Sequence, residues 1–142
     1  MAINLDSRKI YRVLLDDEGI IIADKCRLAA DFASRFKGLM FRDSLPDGEA
    51  LLIVPCNSVH TFFMRFPIDL VFINQNGTAV EEKRNMEPGR MMNPVLHGWA
   101  TLELKGGAIE SLLGSSGSLA GRKIRFEEAR TICTSKDNDS TG

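Results

Sequence analysis

The sequence lacks an excess of charge of either sign. Its 142 residues carry 18 Lys and Arg against 19 Asp and Glu, which gives a formal net charge of −1. Proteins that bind nucleic-acid or membrane phosphates through general electrostatics usually carry a basic excess, because their cations replace the counterions of the phosphates. The charge balance therefore predicts no nucleic-acid partner and no membrane partner.

Long apolar runs and cysteine pairs are also missing. The longest apolar run is Ala50–Pro55, far short of the roughly 20 residues with which a helix spans a bilayer. Residues 1–15 contain no apolar stretch typical of a secretory signal. The three cysteines, Cys26, Cys56 and Cys133, include no Cys-x-x-Cys pair, so no disulfide framework is indicated. These absences predict a cytoplasmic protein.

Signatures of common cofactor and catalytic sites are absent as well. There is no dinucleotide-binding or Walker glycine loop, no Gly-x-Ser-x-Gly turn and no His-Glu-x-x-His motif. A structural zinc site needs several Cys or His ligands, and His60 and His97 are the only histidines. The sequence therefore predicts no cofactor and no bound metal.

What is present is a series of short strand patterns separated by turns. Two brief helices are predicted, one between an Asp31 cap and a Gly38 stop and one over Ala108–Leu113. The stretch Asn85–Gly98 is predicted to be a long loop, a feature that is often functional. Extended segments are predicted over Ile10–Leu15, Ile20–Leu28, Ala50–Val54, Val59–Met64, Ile68–Ile73, Thr78–Arg84, Ala100–Leu104 and Arg122–Glu127.

These elements predict a mainly β fold with one or two short helices. Because no long amphipathic helices alternate with the strands, we expect a single-domain antiparallel β-sandwich or partly closed barrel. Residues 10–128 would form this domain, with residues 1–9 as an N-terminal extension. Because residues 134–142 contain no apolar side chain, residues 129–142 are predicted to form a flexible polar tail.

Reactive side chains concentrate in the segment Cys56–Leu70. In an extended chain Cys56, Ser58 and His60 would share one face. A Cys–His nucleophile requires the sulfur within hydrogen-bond reach of the ring, which a bend at Asn57–Ser58 would allow. In the structural alternative, His60 donates to a backbone carbonyl and Cys56 packs as a small core residue.

Asp69 is a carboxylate within an otherwise apolar run, Phe66–Phe72. A buried lone charge is costly, so Asp69 needs a cation or several hydrogen-bond donors. Arg35 and Arg42 are the natural cations, and we expect one of them to contact Asp69. The pair would be either purely architectural or part of a pocket that recognises a polar ligand.

A cleft is predicted where three parts of the chain meet, with His60 at its polar end. Its borders would be the Cys56–Asp69 segment, the Arg35–Arg42 element and the Asn85–Gly98 loop. The basic stretch Lys25–Arg42 would either favour an anionic ligand or form a solvated face. Trp99, with Met91 and Met92, would form an apolar rim or pack in the core. The candidate ligand-binding residues are Arg35, Arg42, His60, Phe63, Met64 and Asp69.

Four blocks occur in a fixed order along the chain. They are Arg35-x-x-Gly38-Leu39-Met40-Phe41-Arg42, His60–Met64, Pro67–Ile73 and Leu102-Glu103-Leu104. In this order, from about Cys26 to Phe126, the chain resembles the bacterial and archaeal family called domain of unknown function 192. The resemblance implies an all-β sandwich or barrel-like domain, and no established enzymatic activity comes with it. The family usually has Phe-Trp-Met where this chain has Phe62-Phe63-Met64.

Three classes of function follow. The first is a non-catalytic module whose cleft near His60 binds a small polar or anionic ligand or a protein segment. The second is an enzyme that uses Cys56 and His60 for acyl or thiol chemistry. The third is a structural or assembly protein, because arginine and aromatic residues also anchor interfaces.

Overall fold

The computed structural model describes residues 5–15 and 18–129, which form seven strands and two helices of six residues each. The mainly β class predicted from the sequence is confirmed. No helix in these ranges is long and apolar enough to cross a membrane. The elements are β1 Tyr11–Leu15, β2 Ile20–Ala29, α1 Phe32–Lys37, β3 Glu49–Ile53, β4 Ile68–Ile73, β5 Ala79–Met86, β6 Ala100–Lys105, α2 Ala108–Leu113 and β7 Ile124–Glu128.

The strands form one curled sheet in the order β5-β4-β6-β3-β2-β1-β7. Of the two predicted architectures, the partly closed barrel is the one observed. One pair departs from the antiparallel expectation, because β2 and β3 run parallel with Lys25 opposite Glu49 and Ala29 opposite Ile53. Parallel neighbours require a crossover connection, and here that connection carries α1.

The sheet buries apolar side chains on both faces. All six residues of β4 are buried, and they alternate between two core clusters. The first cluster, which includes Val71, Leu102 and Leu104, is covered by Ile109 of α2. The second cluster includes Leu70 and Phe72 and is covered by the chain that follows α1, with Leu39 and Met64. A polar residue in β4, or in β6 before Lys105, is therefore buried whichever face it occupies.

Helix α1 begins and ends where the sequence predicts. The Asp31 carboxylate accepts a hydrogen bond from the backbone N–H of Ser34 at 2.8 Å, which caps the first turn. Gly38 ends the helix with φ of 49°, a conformation that favours glycine, and its N–H donates to the Ser34 carbonyl. The last turn carries Arg35 and Lys37, and Leu39 packs into the second core cluster directly after it.

The predicted extended segment Val59–Met64 is wrong, because the chain curls there. It forms one isolated bridge, between His60 and Met91, and then a turn in which the Met64 N–H donates to the Thr61 carbonyl. The buried Thr61 hydroxyl donates to the Glu87 carbonyl at 2.6 Å and holds this turn against the loop that follows β5. The predicted tail, residues 129–142, lies outside the described residues except for Ala129.

Candidate functional site

A small polar pocket lies between the end of α1 and the second face of the sheet. Its volume is about 50 Å³, whereas one water molecule needs roughly 10–15 Å³ on this measure. The pocket therefore has room for a few waters or for one functional group of a ligand. Its wall is apolar at Leu39, Met40, Ile53, Val59 and Met64, and its polar side chains are Arg35, Lys37, Cys56, Ser58, His60 and Glu103.

Glu103 forms the innermost polar part of this pocket. It lies in β6 opposite Leu51 of β3 and Leu70 of β4, is 3% exposed, and faces the second core cluster. Its Oε1 atom is buried and has no hydrogen-bond partner among the described residues. Burial raises the pKa of this carboxyl group to about 8, because the low-dielectric surroundings disfavour the charged form. Glu103 therefore keeps its proton at neutral pH.

Arg35 is the second polar group of the pocket without a full set of partners. Its NH1 group donates to the Pro55 carbonyl at 3.2 Å, which fixes the side chain across the pocket. The Nε atom of the same guanidinium is buried and has no partner in the part of the chain that the structure describes. Buried polar groups are nearly always hydrogen-bonded, so two unsatisfied groups in one pocket indicate a place for an occupant.

Cys56 and His60 line the same pocket, but their geometry is not that of an activated nucleophile. The Cys56 thiol donates to the Ser58 carbonyl at 3.1 Å, and burial raises the pKa of the thiol. Reactive cysteines instead have a lowered pKa. The His60 Nδ1 atom accepts from the Phe62 N–H at 3.3 Å, and the ring stacks on the Phe62 ring.

The structure brings three of the predicted ligand-binding residues into the pocket, namely Arg35, His60 and Met64. Arg42 lies apart from the lining and its guanidinium is 3.6 Å from the Glu49 carboxylate. Phe63 is at the surface, where its ring stacks on Phe41.

The predicted third border of the cleft, the Asn85–Gly98 loop, does not line the pocket. The loop lies behind it, because Met91 pairs with the backbone of His60 and Met92 packs against the second core cluster. Trp99 packs against the first core cluster. This agrees with the predicted alternative in which Trp99 packs in the core, and not with the one in which it forms an apolar rim.

The predicted contact between Asp69 and Arg35 or Arg42 is wrong. Asp69 is fully buried, and its side chain lies on the first face of the sheet, opposite to the polar pocket. Its Oδ1 accepts from the N–H groups of Asn85 at 2.8 Å and Gly107 at 3.2 Å, and its Oδ2 accepts from Ile109 at 2.9 Å. Backbone donors thus replace the expected cation, and Asp69 has an architectural role.

Glu103 is the pocket residue that sequence reasoning missed as a site residue. It lies in the apolar strand Ala100–Leu104, which gives the same signal that singled out Asp69. A carboxylate in a strand with apolar neighbours on both sides requires partners or a raised pKa. That argument would have identified Glu103 as well. Within the described ranges, no group of three or more His, Cys, Asp or Glu side chains could hold a metal ion.

Comparisons with known proteins agree with the fold. Two bacterial proteins of known structure superpose on most of the chain at 23% identity, each with a TM-score of 0.66. One is a protein of unknown function from Novosphingobium aromaticivorans, for which the match covers 82% of this chain and 83% of the other. The second is a protein of Sinorhizobium meliloti, with 83% and 92% covered.

Sequence comparisons identify a family as well as a fold. The UPF0127 protein PF1050 of Pyrococcus furiosus is 34% identical over 100 residues, which cover 67% of this chain and 84% of the relative. The model of the DUF192 family, described as Uncharacterized ACR, COG1430, matches residues 13–119. The chain therefore belongs to the DUF192 family.

Proposed function

We propose that the protein is a non-catalytic binding module whose polar pocket, beside His60, takes one polar or anionic group of a ligand. The observation that carries this proposal is a pair of buried atoms in the pocket that have no hydrogen-bond partner among the described residues, the Glu103 Oε1 and the Arg35 Nε. Protonated Glu103 and Arg35 are both hydrogen-bond donors. Both groups would therefore favour an oxygen acceptor, such as the oxygen of a carboxylate.

The size and charge of the pocket support a ligand group rather than a whole metabolite. Pockets that enclose a small molecule have volumes of roughly 300–1,000 Å³, against about 50 Å³ here. The remainder of the ligand would therefore lie outside, over the surface at the mouth. Arg35 and Lys37 on α1 add positive charge, which favours an anionic group.

The test is a titration of the full-length protein with sodium acetate, followed by NMR of the backbone amides at pH 6.5 and pH 9.5. We expect saturable shifts at Gly38 and at the neighbours of Glu103. Acetate affinity should fall at the higher pH, because ionised Glu103 repels the anion and no longer donates to it. Methylammonium should show the opposite pH dependence.

Glu103→Gln is the matched variant for this titration. It keeps the size of the side chain and removes its ionisation, so acetate affinity in the variant should lose the part of the pH dependence that belongs to Glu103. Arg35, Lys37, Cys56 and His60 also face the pocket, and the comparison of variant with wild type separates Glu103 from them. Acetate binding that strengthens with pH, or no saturable binding, contradicts the proposal.

The enzyme alternative makes a different prediction for Cys56. The half-buried thiol, whose pKa burial raises, should react with iodoacetamide at neutral pH more slowly than a free cysteine, and His60→Ala should leave this rate unchanged. A Cys133→Ser background removes the third cysteine of the sequence, and fully buried Cys26, whose pKa burial raises to about 12, serves as an unreactive reference. Rapid, His60-dependent labelling of Cys56 would favour the enzyme.

The unpaired Cys26 and Cys56 also support the proposed cytoplasmic location.

A further inference from the structure

Two exposed phenylalanine rings belong to residues that are next in sequence to residues lining the polar pocket. Phe41 is 57% exposed and Phe63 is 65% exposed. Their ring centroids are 5.5 Å apart and the ring planes differ by 27°, so the rings stack on each other rather than pack into the core. Each ring is next in sequence to a lining residue, since Phe41 follows Met40 and Phe63 precedes Met64. We call these two rings the aromatic pair.

Both residues of the aromatic pair have left-handed backbone conformations. Their φ angles are 66° for Phe41 and 64° for Phe63, in a region where bulky side chains are rare. A backbone hydrogen bond of 3.0 Å, from the Phe41 N–H to the Phe63 carbonyl, joins the two strained positions. Asn or Gly would fit each position with less strain, and a mostly exposed ring gains little from folding. Strain that holds apolar rings in solvent points to a role at the surface.

We infer that the aromatic pair and the polar pocket form one docking site for an extended, acidic segment of another protein. A carboxylate side chain of that segment enters the pocket, and a neighbouring aromatic or aliphatic side chain lies on the two rings. This inference rests on the proposed function and names the partner class for the same site.

The volume of the pocket favours a protein segment over a free metabolite. About 50 Å³ accommodates the carboxylate end of one side chain, and the aromatic pair, next in sequence to the lining residues Met40 and Met64, offers exposed apolar surface. A peptide presents an acidic and an apolar side chain at this kind of spacing, with the backbone as a linker. Aromatic side chains, phenylalanine among them, are also enriched at protein interfaces.

Charge complementarity favours an acidic partner over a second copy of this chain. The segment Lys25–Arg42 holds five cations and one acid, and its Arg35 and Lys37 line the pocket. A two-fold pairing through this site would place the same basic surface against itself, since such interfaces are self-complementary. An acidic segment instead meets opposite charge, which speeds association and excludes wrong partners.

The test is selection from a random peptide display library on the immobilised full-length protein. We expect enriched peptides to contain Asp or Glu within two residues of an aromatic or aliphatic side chain. A synthetic peptide of the enriched sequence should bind Phe63→Asn at least about 10-fold more weakly than wild type, as expected for loss of an interface anchor. Asn is chosen because it tolerates the left-handed conformation, so the variant should fold with an unchanged or higher Tm.

Leu96→Asn is the matched control. Leu96 is 80% exposed and does not line the pocket, so its substitution should leave peptide affinity unchanged. Enriched peptides that lack the acidic–apolar pair, or that bind Phe63→Asn as well as wild type, overturn the inference. A clear fall in the Tm of Phe63→Asn also overturns it, because the ring would then be stabilising the fold.

Two further measurements separate this inference from the proposed function. If wild type and Phe63→Asn bind acetate equally but no peptide is selected, the polar pocket stands and the protein-segment inference fails. If neither protein binds acetate, both proposals fail. Sedimentation of wild type and Phe63→Asn tests whether a second copy of the chain occupies the site. A concentration-dependent dimer of the wild type that is lost in the variant would assign the site to a second copy and overturn the inference.

Discussion

Asp69 and Glu103 are both buried carboxyl groups on neighbouring strands, but the sheet separates their surroundings. Asp69 in β4 points to the first face and accepts three backbone hydrogen bonds. Glu103 in β6 points to the second face, where its Oε1 has no partner among the described residues. Both sit in apolar strands, so burial alone does not distinguish them. The difference lies in what the covering chain presents to each carboxyl group.

The covering chain presents opposite helix ends to the two groups. Asp69 meets the start of α2, where Gly107 and Ile109 have free N–H groups that donate to it. Glu103 meets the end of α1, where Gly38 leaves space instead of a donor. A helix terminus with free N–H groups satisfies a carboxylate, and a terminus with carbonyl oxygens does not. Asp69 therefore belongs to the architecture, whereas Glu103 is left available to an occupant.

The largest expected effect is the loss of Asp69. Asp69→Ala leaves three N–H groups, including two at the start of α2, without their acceptor in the core. Each unsatisfied buried donor costs about 1–3 kcal/mol and single substitutions seldom cost more than about 5 kcal/mol, so the free energy of unfolding should fall by about 3–5 kcal/mol. Urea denaturation followed by fluorescence of Trp99 measures this loss. Asp69→Asn, which keeps one acceptor oxygen, should lose clearly less, and a loss below about 1 kcal/mol in Asp69→Ala would show that the three bonds are dispensable.

Local features of this fold were predictable from the sequence. Helix α1 follows from the Asp31 cap and the Gly38 stop, since both signals act over a few residues. The mainly β class follows from the strand patterns. The burial of Asp69 was also predictable from the sequence, because the apolar residues around it leave no solvated face on the strand. These predictions depend only on neighbours in the chain.

Features that depend on distant contacts were not predictable in the same way. The curl at Thr61–Met64 is held by a hydroxyl bond to Glu87, 26 residues further along the chain. The donors of Asp69 come from residues as far as 40 positions away, so a cation was the natural but wrong expectation. The alternation of residues along a strand does not show which loop packs against a given face of the sheet. The polar pocket was therefore only partly predicted, through Arg35, His60 and Met64.

The second prediction concerns the pH dependence of stability. Glu103 ionises near its ordinary pKa of 4.5 in the unfolded chain but near 8 in the fold. Between these values the unfolded state binds fewer protons, so the free energy of unfolding falls as pH rises. Wild type should lose up to about 1.4 kcal/mol per pH unit relative to Glu103→Gln across this window.

Urea denaturation of both proteins at pH 5, 6, 7 and 8 measures that difference. Other titrating groups affect wild type and Glu103→Gln alike, so the difference reports Glu103. If the free energy of unfolding depends on pH in the same way in both proteins, Glu103 is ionised in the fold. The difference in protonation that we draw between Glu103 and Asp69 would then disappear.

The smallest expected effect comes from two glycines, each beside one carboxyl group. Gly38 adjoins Glu103 with φ of 49°, and Gly107 donates to Asp69 with φ of 91°. Substitution by Ala should cost about 1–2 kcal/mol at either position, because a Cβ is strained at positive φ. The Cβ of Gly38→Ala would lie 3.7 Å from the Glu103 Oε1 and narrow the polar pocket, whereas a Cβ at Gly107 meets no atom within 4 Å. Acetate affinity measured by NMR should therefore fall in Gly38→Ala and not in Gly107→Ala. Equal acetate affinity in the two variants would show that the space beside Gly38 is not where the occupant of Glu103 binds.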